Sequence, residues 1–258
     1  MTIGKRKFRE FCWINVMTPE LAEAAKFFQQ VLGWQIGEGL PGGHVIQVDG
    51  LPAGALMDLA VCPPGIPPVI GVMIKVENAE TTVARVIALG GSAEPVMDVA
   101  GNGRMASCTD PTGAIFNIWQ PLTKDGAECD PCVPGAPTWF ELHTSDPEQA
   151  VKFYTELLGW TAVAEPMGPG MTYTTLHLDG TPIAGAMRAM SDPQGNVHPS
   201  HWGTYFTVVS ADATVELTKQ LGGELCFGPH DIPKVGRFAL VKSPQGVSFL
   251  LLQHAPAN

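Results

Sequence analysis

The chain has 258 residues, of which 45% are hydrophobic and 16% are charged, so it can bury a substantial core in one or two domains. Its formal net charge of −10 argues against a nucleic-acid partner, because surfaces that bind nucleic acid are normally basic. No run approaches the roughly 20 apolar residues that cross a membrane, and no apolar segment follows the basic N-terminal residues, so we expect neither a membrane span nor a secretory signal.

The first segment with a clear periodicity runs from Trp13 to Trp34 and reads WINVMTPELAEAAKFFQQVLGW. It opens like a strand and continues with apolar residues at i, i+3, i+4, i+7 and i+8, which indicates an amphipathic helix. Thr18-Pro19 predicts the start of that helix, an N-cap followed by proline. Leu32-Gly33 predicts its end, because glycine takes the left-handed conformation that closes helices. The helical positions expected to be buried are Ala24, Phe27, Phe28, Val31 and Leu32.

Strand-like segments follow this helix, among them HVIQV and AGALM, and the pattern then restarts with GVMIKV. A second, weaker helix has its apolar stripe at Ala79, Val83, Val86 and Ile87, and it ends at Leu89-Gly90. The segment DPTGAIFNIW predicts a turn that leads into a buried strand. Each of these units therefore has the order β-α-β-β-β.

The same arrangement recurs in the second half of the chain. WFELHTSDPEQAVKFYTELLGW, which begins at Trp139, matches the first segment at an offset of 126 (139 − 13). GRFALVKSPQGVSFLLLQ matches GRMASCTDPTGAIFNIWQ in the same way. Asp146-Pro147 predicts the start of the third helix, and Leu158-Gly159 and Leu221-Gly222 predict the ends of the third and fourth. The third helix repeats the apolar stripe at Ala150, Phe153, Tyr154, Leu157 and Leu158.

This tandem repeat predicts the domain organisation. We expect an N-terminal domain at 1–122, a Pro- and Gly-rich linker at 123–136 and a C-terminal domain at 137–258. Two β-α-β-β-β modules per domain predict an α+β fold in which paired modules close a cup, because one small curved sheet cannot bury its concave face alone. The interior of each cup is a natural ligand site.

Of the six cysteines, only Cys129 and Cys132 are closely spaced. A chain of this length does not need disulfides, so we expect free thiols in a cytoplasmic protein. The single CxxC lies in the linker, outside any strand-to-helix redox context. An exposed dithiol that oxidises or recruits a metal is the alternative to two ordinary thiols.

The module order, the LGW helix ends and the DPxG turn before an apolar strand resemble the vicinal oxygen chelate superfamily. Its members include glyoxalase I, bleomycin-resistance proteins and extradiol dioxygenases. The tandem arrangement, with WFEL and VGRF, is similar to two-domain glyoxalase-like proteins, several of which carry the provisional label hydroxylase. The resemblance implies the fold, but the superfamily hosts several activities, so the site must decide the function.

The resemblance also implies where metal ligands would stand. A His, Gln or Glu belongs in the first strand of each module, and a carboxylate belongs in the last strand. In this sequence those positions hold Trp13, Gly71 and Asn117 in the first half and Trp139, Gly203 and Leu250 in the second. These side chains do not supply converging donors, so we expect no metal cofactor. The alternative is a relocated site for Zn, Ni, Fe or Mn, built from Glu141, His143 and either His198 or His201.

Other side chains remain to line the cups. Trp13 and Asn15 lie two apart on one strand and share a face, as do Trp139, Glu141 and His143. An indole beside a carboxylate suits an aromatic or cationic small molecule, since the ring stacks and Glu141 fixes a donor.

Four further residues are candidates for ligand binding. Trp202 and Tyr205 come from the first strand of the fourth module, and a regular strand would point only one of them into the cup. Arg104 and Arg237 each follow a glycine at the start of a strand, where a guanidinium can meet a carboxylate or a phenolate. The alternative interpretation makes the tryptophans core residues and the arginines caps of turns.

We therefore predict that the chain binds a small aromatic molecule in a cup without metal. The alternative is a lyase, dioxygenase or hydroxylase-like enzyme in which Glu141 and His143 are catalytic. A third interpretation makes a cup the effector site of a regulatory module. The C-terminal cup is the one expected to act, because Asn15 and Met17 stand where it has Glu141 and His143. The expected partner is a small molecule, and a monomer and a homodimer are both compatible with the sequence.

Overall fold

The computed structural model describes residues 5–62, 65–168, 170–190 and 198–256, except for the side chain of residue 38. The first half contains β1 (Phe11–Thr18), α1 (Leu21–Leu32), β2 (Gln35–Leu40), β3 (Gly43–Val48), β4 (Leu51–Asp58), a 3-10 turn (Leu59–Val61), β5 (Val69–Lys75), α2 (Ala79–Ala88), β6 (Ser92–Ala93), β7 (Met97–Asp98), β8 (Gly103–Thr109) and β9 (Ile115–Pro121). The second half contains β10 (Pro137–Thr144), α3 (Pro147–Leu158), β11 (Thr161–Gly168), β12 (Met171–Leu178), β13 (Thr181–Arg188), β14 (His201–Thr207), α4 (Ala211–Gln220), β15 (Glu224–Ile232), β16 (Gly236–Lys242) and β17 (Ser248–His254).

Each half of the chain forms its own sheet. The strand order is β2-β3-β4-β1-β5-β9-β8-β6 in the first, where β7 also pairs with β8, and β11-β12-β13-β10-β14-β17-β16-β15 in the second. In the second sheet β10 runs parallel to β13 and antiparallel to β14, and β1 does the same with β4 and β5. The two modules of a half thus meet at their first strands. The predicted α+β fold with four modules in two tandem units is confirmed.

The helices pack between the two sheets and join the halves through one core. All of the apolar positions predicted for α1 and α3 are buried. Phe28 on α1 contacts Phe249 of the second sheet at 5.4 Å between ring centroids, and Phe116 of the first sheet contacts Phe153 on α3 at 6.1 Å. The other face of each sheet points away from the helices. On α2 the prediction was wrong for Ile87, which is exposed, while Ala79 and Val86 are buried and Val83 packs against the core at its edge.

The helix ends follow the predicted glycines, while one predicted start is wrong. The glycines after all four Leu residues have positive φ, from 67° at Gly159 to 88° at Gly90. Asp146 caps α3 by accepting a hydrogen bond from the Gln149 amide at 3.1 Å. Thr18-Pro19, by contrast, does not start α1, which begins at Leu21 after Glu20. Thr18 is the last residue of β1 and is fully buried, so it is not placed to cap the helix.

The linker between the halves is packed rather than loose. Ala127 and Cys129 are buried, and the Ala127 amide donates to the Cys12 carbonyl at 2.6 Å. Cys132 is exposed, so the two thiols of the CxxC lie in different environments and do not form an exposed dithiol. Among the described residues, no helix has the length and apolar character that crossing a membrane requires.

Candidate functional site in the C-terminal cup

Strand alternation on β10 divides its side chains between core and cup. Phe140 and Leu142 enter the core between the sheets. Trp139, Glu141 and His143 therefore project from the opposite face. Tyr205, Leu250 and Leu252 are buried on that outer face, where Trp139, Phe238 and Leu240 pack against them. We call the outer face of the second sheet the C-terminal cup and that of the first sheet the N-terminal cup.

Glu141 is the centre of a hydrogen-bond network in the C-terminal cup. Only 5% of its surface is exposed. The Tyr205 hydroxyl donates to Oε1 at 2.9 Å and the Tyr173 hydroxyl donates to Oε2 at 2.7 Å. The His143 Nε2 lies 3.1 Å from Oε1. Both carboxylate oxygens are therefore satisfied by side-chain donors, as a buried carboxylate requires.

This network holds Glu141 ionised. Burial alone would raise the pKa of Glu141, but the hydrogen bond and electrostatic attraction of His143 and the hydrogen bonds from Tyr173 and Tyr205 outweigh burial and place the pKa below its ordinary value. Burial, followed by the negative charge of Glu141, raises the pKa of Tyr173 and of Tyr205. The two tyrosines therefore stay neutral and act as donors to a buried anion.

Tyr173 was not among the predicted site residues. It also accepts a hydrogen bond from the Trp139 indole at 3.0 Å, so it links the indole to the carboxylate. Its ring lies over Gly185, where an added Cβ would fall 1.9 Å from the Tyr173 hydroxyl. Gly185 is the register partner of Glu141. The signal that could have revealed Tyr173 is the difference between the repeats, because the equivalent residue of the first half is Gly43.

A second histidine completes one side of the site. The His143 and His201 rings stack at 5.1 Å with an interplanar angle of 16°. His201 Nδ1 lies 2.8 Å from the Pro199 carbonyl, which can only accept, so Nδ1 carries the proton. Desolvation of the ring lowers the pKa of His201, and the neutral ring offers Nε2 as an acceptor.

Three predicted ligand-binding residues lie outside the cups. Trp202 faces the core, where its indole donates to the Tyr154 hydroxyl at 2.9 Å. Tyr205, three residues along the same strand, faces the cup, so only one of this pair points inward.

Arg104 pairs with Glu80 of α2. Arg237 pairs with Asp212 of α4 at 2.8 Å and with Asp231 at 3.0 Å. The alternation of β8 and β16 puts both arginines on the helix side, which corrects their assignment to the cups.

The N-terminal cup has the same frame with neutral side chains. The Trp13 indole donates to Asn15 Oδ1 at 3.2 Å. Strand register places Asn15 at the position of Glu141, and Met17 and Met73 at the positions of His143 and Tyr205. Met17 Sδ lies 3.4 Å from Cys62 Sγ. Amide, thioether and indole groups therefore replace the charged network.

The residues at the metal-ligand positions do not fit a divalent ion. In the C-terminal cup these positions hold Trp139, Gly203 and Leu250, and an added Cβ on Gly203 would lie 3.0 Å from Leu250 Cδ1. The nearest carboxylate, Glu141, already accepts from three donors. Within the described ranges, no three His, Cys, Asp or Glu side chains form a group that could hold a metal.

Sequence comparison identifies the family. The profile of the Glyoxalase/Bleomycin resistance protein/Dioxygenase superfamily matches residues 11–118 and 137–251. A protein of Mycobacterium tuberculosis (strain CDC 1551 / Oshkosh) named "Putative glyoxylase CFP32" is 34% identical over 95% of this chain and 94% of its own length. "Anthracycline biosynthesis protein DauV" of Streptomyces sp. (strain C5) is 32% identical over 93% of this chain and 92% of its own length.

Solved structures show the same fold at low sequence identity. A Mn(II)-bound glyoxalase from Novosphingobium aromaticivorans has a TM-score of 0.65 and 16% identity, with 98% of this chain and 85% of that chain covered. The 2,2',3-trihydroxybiphenyl 1,2-dioxygenase of Sphingomonas wittichii strain RW1 has a TM-score of 0.65 and 14% identity, with 96% and 91% covered. The two sheets of paired modules and the profile match over both halves lead to one conclusion: the chain belongs to the glyoxalase/bleomycin resistance protein/dioxygenase superfamily.

Proposed function

We propose that the protein binds a small aromatic molecule in the C-terminal cup without the help of a metal ion. The observation that carries this proposal is the wall of Trp139, Tyr173 and Tyr205 around the ionised carboxylate of Glu141. Aromatic side chains supply stacking area, and a few fixed polar groups orient a ligand. The relative named for anthracycline biosynthesis supports this ligand class, since anthracyclines are flat fused-ring compounds.

Ligand titration of the full chain tests the proposal. A panel of anthraquinones and aryl ketones should include a compound that quenches tryptophan fluorescence and binds by calorimetry. Trp139→Phe should weaken that binding, because Trp139 forms the wall and orients Tyr173. Trp13→Phe, the matched change in the N-terminal cup, should leave the affinity for the C-terminal cup unchanged. Equal affinity in wild type and Trp139→Phe would contradict the proposed location.

Metal analysis tests the second half of the proposal. The Mn(II)-bound glyoxalase shares the fold, but the donor set of this chain does not fit such an ion. We expect well under one equivalent of Zn, Ni, Fe or Mn per purified chain, and we expect a chelator to leave ligand affinity unchanged. One tightly held ion per chain would instead support a metal-dependent lyase or dioxygenase.

A second candidate function is proton transfer to or from the bound molecule. The contact between His143 and the ionised Glu141 favours it, because a carboxylate that orients an imidazole is a common arrangement in general acid–base catalysis. Among the described residues, no hydrogen bond engages His143 Nδ1, so that atom can face a ligand. Exchange of the α-protons of a bound aryl ketone for deuterium, followed by NMR, should occur in wild type and be lost in His143→Phe. No exchange in wild type would remove this candidate.

A further inference from the structure

The charges of the C-terminal cup are unbalanced toward the negative. Glu141 lies at its centre with the His143 imidazole 3.1 Å away, and Glu165 at the edge is the register partner of Tyr173, so two carboxylates share this face. Lys242 also lies on this face, two residues from Leu240, but it is paired with Glu224 at 2.7 Å. Within the described part of the chain, no unpaired lysine or arginine faces the cup. A ligand that enters the cup therefore meets a negative potential in a partly desolvated site.

The C-terminal cup also offers a ligand more hydrogen-bond acceptors than free donors. The Tyr173, Tyr205 and His143 donors all point at Glu141, and the Trp139 indole N–H points at Tyr173. The Nδ1–H of His201 donates to the Pro199 carbonyl and is not free for a ligand. What remains for a ligand is a set of acceptors, namely the two tyrosine oxygens and Nε2 of His201. A ligand must bring the donors itself.

Aromatic faces are also suited to a positive charge. Trp139, Tyr173 and Tyr205 surround the carboxylate, and Phe238 extends the wall at 6.3 Å from the Tyr205 ring centroid. A cation held over such faces is attracted by the ring quadrupoles, and an ammonium group brings three donors. The N-terminal cup keeps the aromatic faces of Trp13 and Trp119, but Asn15 and Met73 replace Glu141 and Tyr205.

We infer that the ligand of the C-terminal cup is an aromatic amine, bound as its ammonium cation at the two tyrosine oxygens and the Trp139 ring, with the buried Glu141 as its counter-charge. The inference rests on the proposed function and narrows it to one charge class. It distinguishes the cups, since Asn15 stands in the N-terminal cup at the position where Glu141 supplies the counter-charge.

Three probes of matched shape test this inference on the full chain. They are 2-naphthylmethylamine, which is an ammonium at neutral pH, 2-naphthylmethanol and 2-naphthoate. We expect calorimetry to show the amine binding roughly tenfold more tightly than the alcohol, from cation–π and charge-assisted contacts, and the naphthoate binding most weakly. Glu141→Gln should remove the preference for the amine, whereas Asn15→Ala in the N-terminal cup should keep it.

The outcomes separate the two proposals. An alcohol or naphthoate that binds as tightly as the amine overturns the charge inference and leaves the aromatic site standing. A preference for the amine that survives in folded Glu141→Gln also overturns it, because the counter-charge then lies elsewhere. Binding of none of the probes overturns the charge inference, and the panel of anthraquinones and aryl ketones then decides on the proposed function by itself. Circular dichroism checks that Glu141→Gln folds, and if it does not, the order of the three probes on the wild-type chain decides alone.

Discussion

Trp34 and Trp160 make the same hydrogen bond at equivalent places in the two repeats. The Trp34 indole donates to the Gly135 carbonyl at 2.8 Å, and the Trp160 indole donates to the Arg9 carbonyl at 2.9 Å. Both the donors and the acceptors are separated by the repeat offset of 126 (160 − 34 and 135 − 9). Arg9 and Gly135 also share a positive φ, 72° and 88°. The recurring tryptophan of the LGW segment therefore joins the halves, and the cups face away from that junction.

Phenylalanine at Trp34 or Trp160 should destabilise the fold by about the same amount. Each change removes a buried indole donor and leaves a carbonyl, buried at Gly135 and part-buried at Arg9, without its partner, at a cost of about 2 kcal/mol. Urea unfolding followed by circular dichroism measures this cost. Trp13→Phe serves as the control, because its partly exposed indole bonds only to Asn15 and should cost under about 1 kcal/mol. A clearly unequal loss at the two junction positions would count against their equivalence.

The fold was predictable because the repeat presents the same pattern twice. The stripes of α1 and α3 and the four Leu-Gly ends follow from local rules of helix geometry. The repeat offset of 126 residues predicts the correct start of α1, which the Thr18-Pro19 pattern does not. At 126 residues, Thr18 aligns with Thr144 and Glu20 aligns with Asp146, so the aligned start falls at Leu21.

The candidate site was predictable only along one strand. The alternation of β10 places Trp139, Glu141 and His143 together without knowledge of any other strand. Tyr173 reaches Glu141 across β13, and that contact depends on strand register and on the absence of a side chain at Gly185. Neither the register of three strands nor the space above Gly185 can be predicted from a local sequence pattern.

The arginines show a different limit. Alternation tells which residues share a face but not which face is the core. Arg237 shares its face with the buried Ala239 and Val241, which pack toward the helices, so it meets Asp212 on α4. Which face of β16 is the core follows only from the position of α4 on the sheet.

Reactivity of the cysteines should follow their burial. Burial raises the pKa of Cys12 and of Cys108 to about 12, and Cys129 is also buried. These three should react with a thiol reagent such as DTNB at pH 8 only after unfolding. The exposed Cys132 and Cys226 should react at once, and Cys132→Ser should remove one equivalent of the fast phase. A fast phase that titrates four or more thiols in the folded chain would contradict this assignment.

The stability of the protein should depend on Glu141 in a pH-specific way. The pKa of Glu141 is lower in the folded chain than its ordinary 4.5, so the network stabilises the fold above about pH 4.5, and this stabilisation is lost as the pH falls through the folded value. Glu141→Gln should lower the free energy of unfolding by about 1 to 3 kcal/mol at pH 7. The gap between the variant and wild type should shrink below about pH 4.5. Glu165→Gln, a change at an exposed carboxylate, should run parallel to wild type across the range, and a gap for Glu141→Gln that stays constant would show that Glu141 is not ionised.

Alanine at Gly185 should disable the C-terminal cup without removing any functional group. The added methyl would occupy the space of the Tyr173 hydroxyl, so the ring must move and its hydrogen bonds to Glu141 and Trp139 must break. We expect ligand affinity to fall at least as far as in Tyr173→Phe. Gly71→Ala is a control in the other cup, because its Cβ would meet Asn117 Nδ2 at 3.4 Å, which is an ordinary contact. Wild-type affinity in Gly185→Ala would show that Tyr173 does not hold the ligand site in shape.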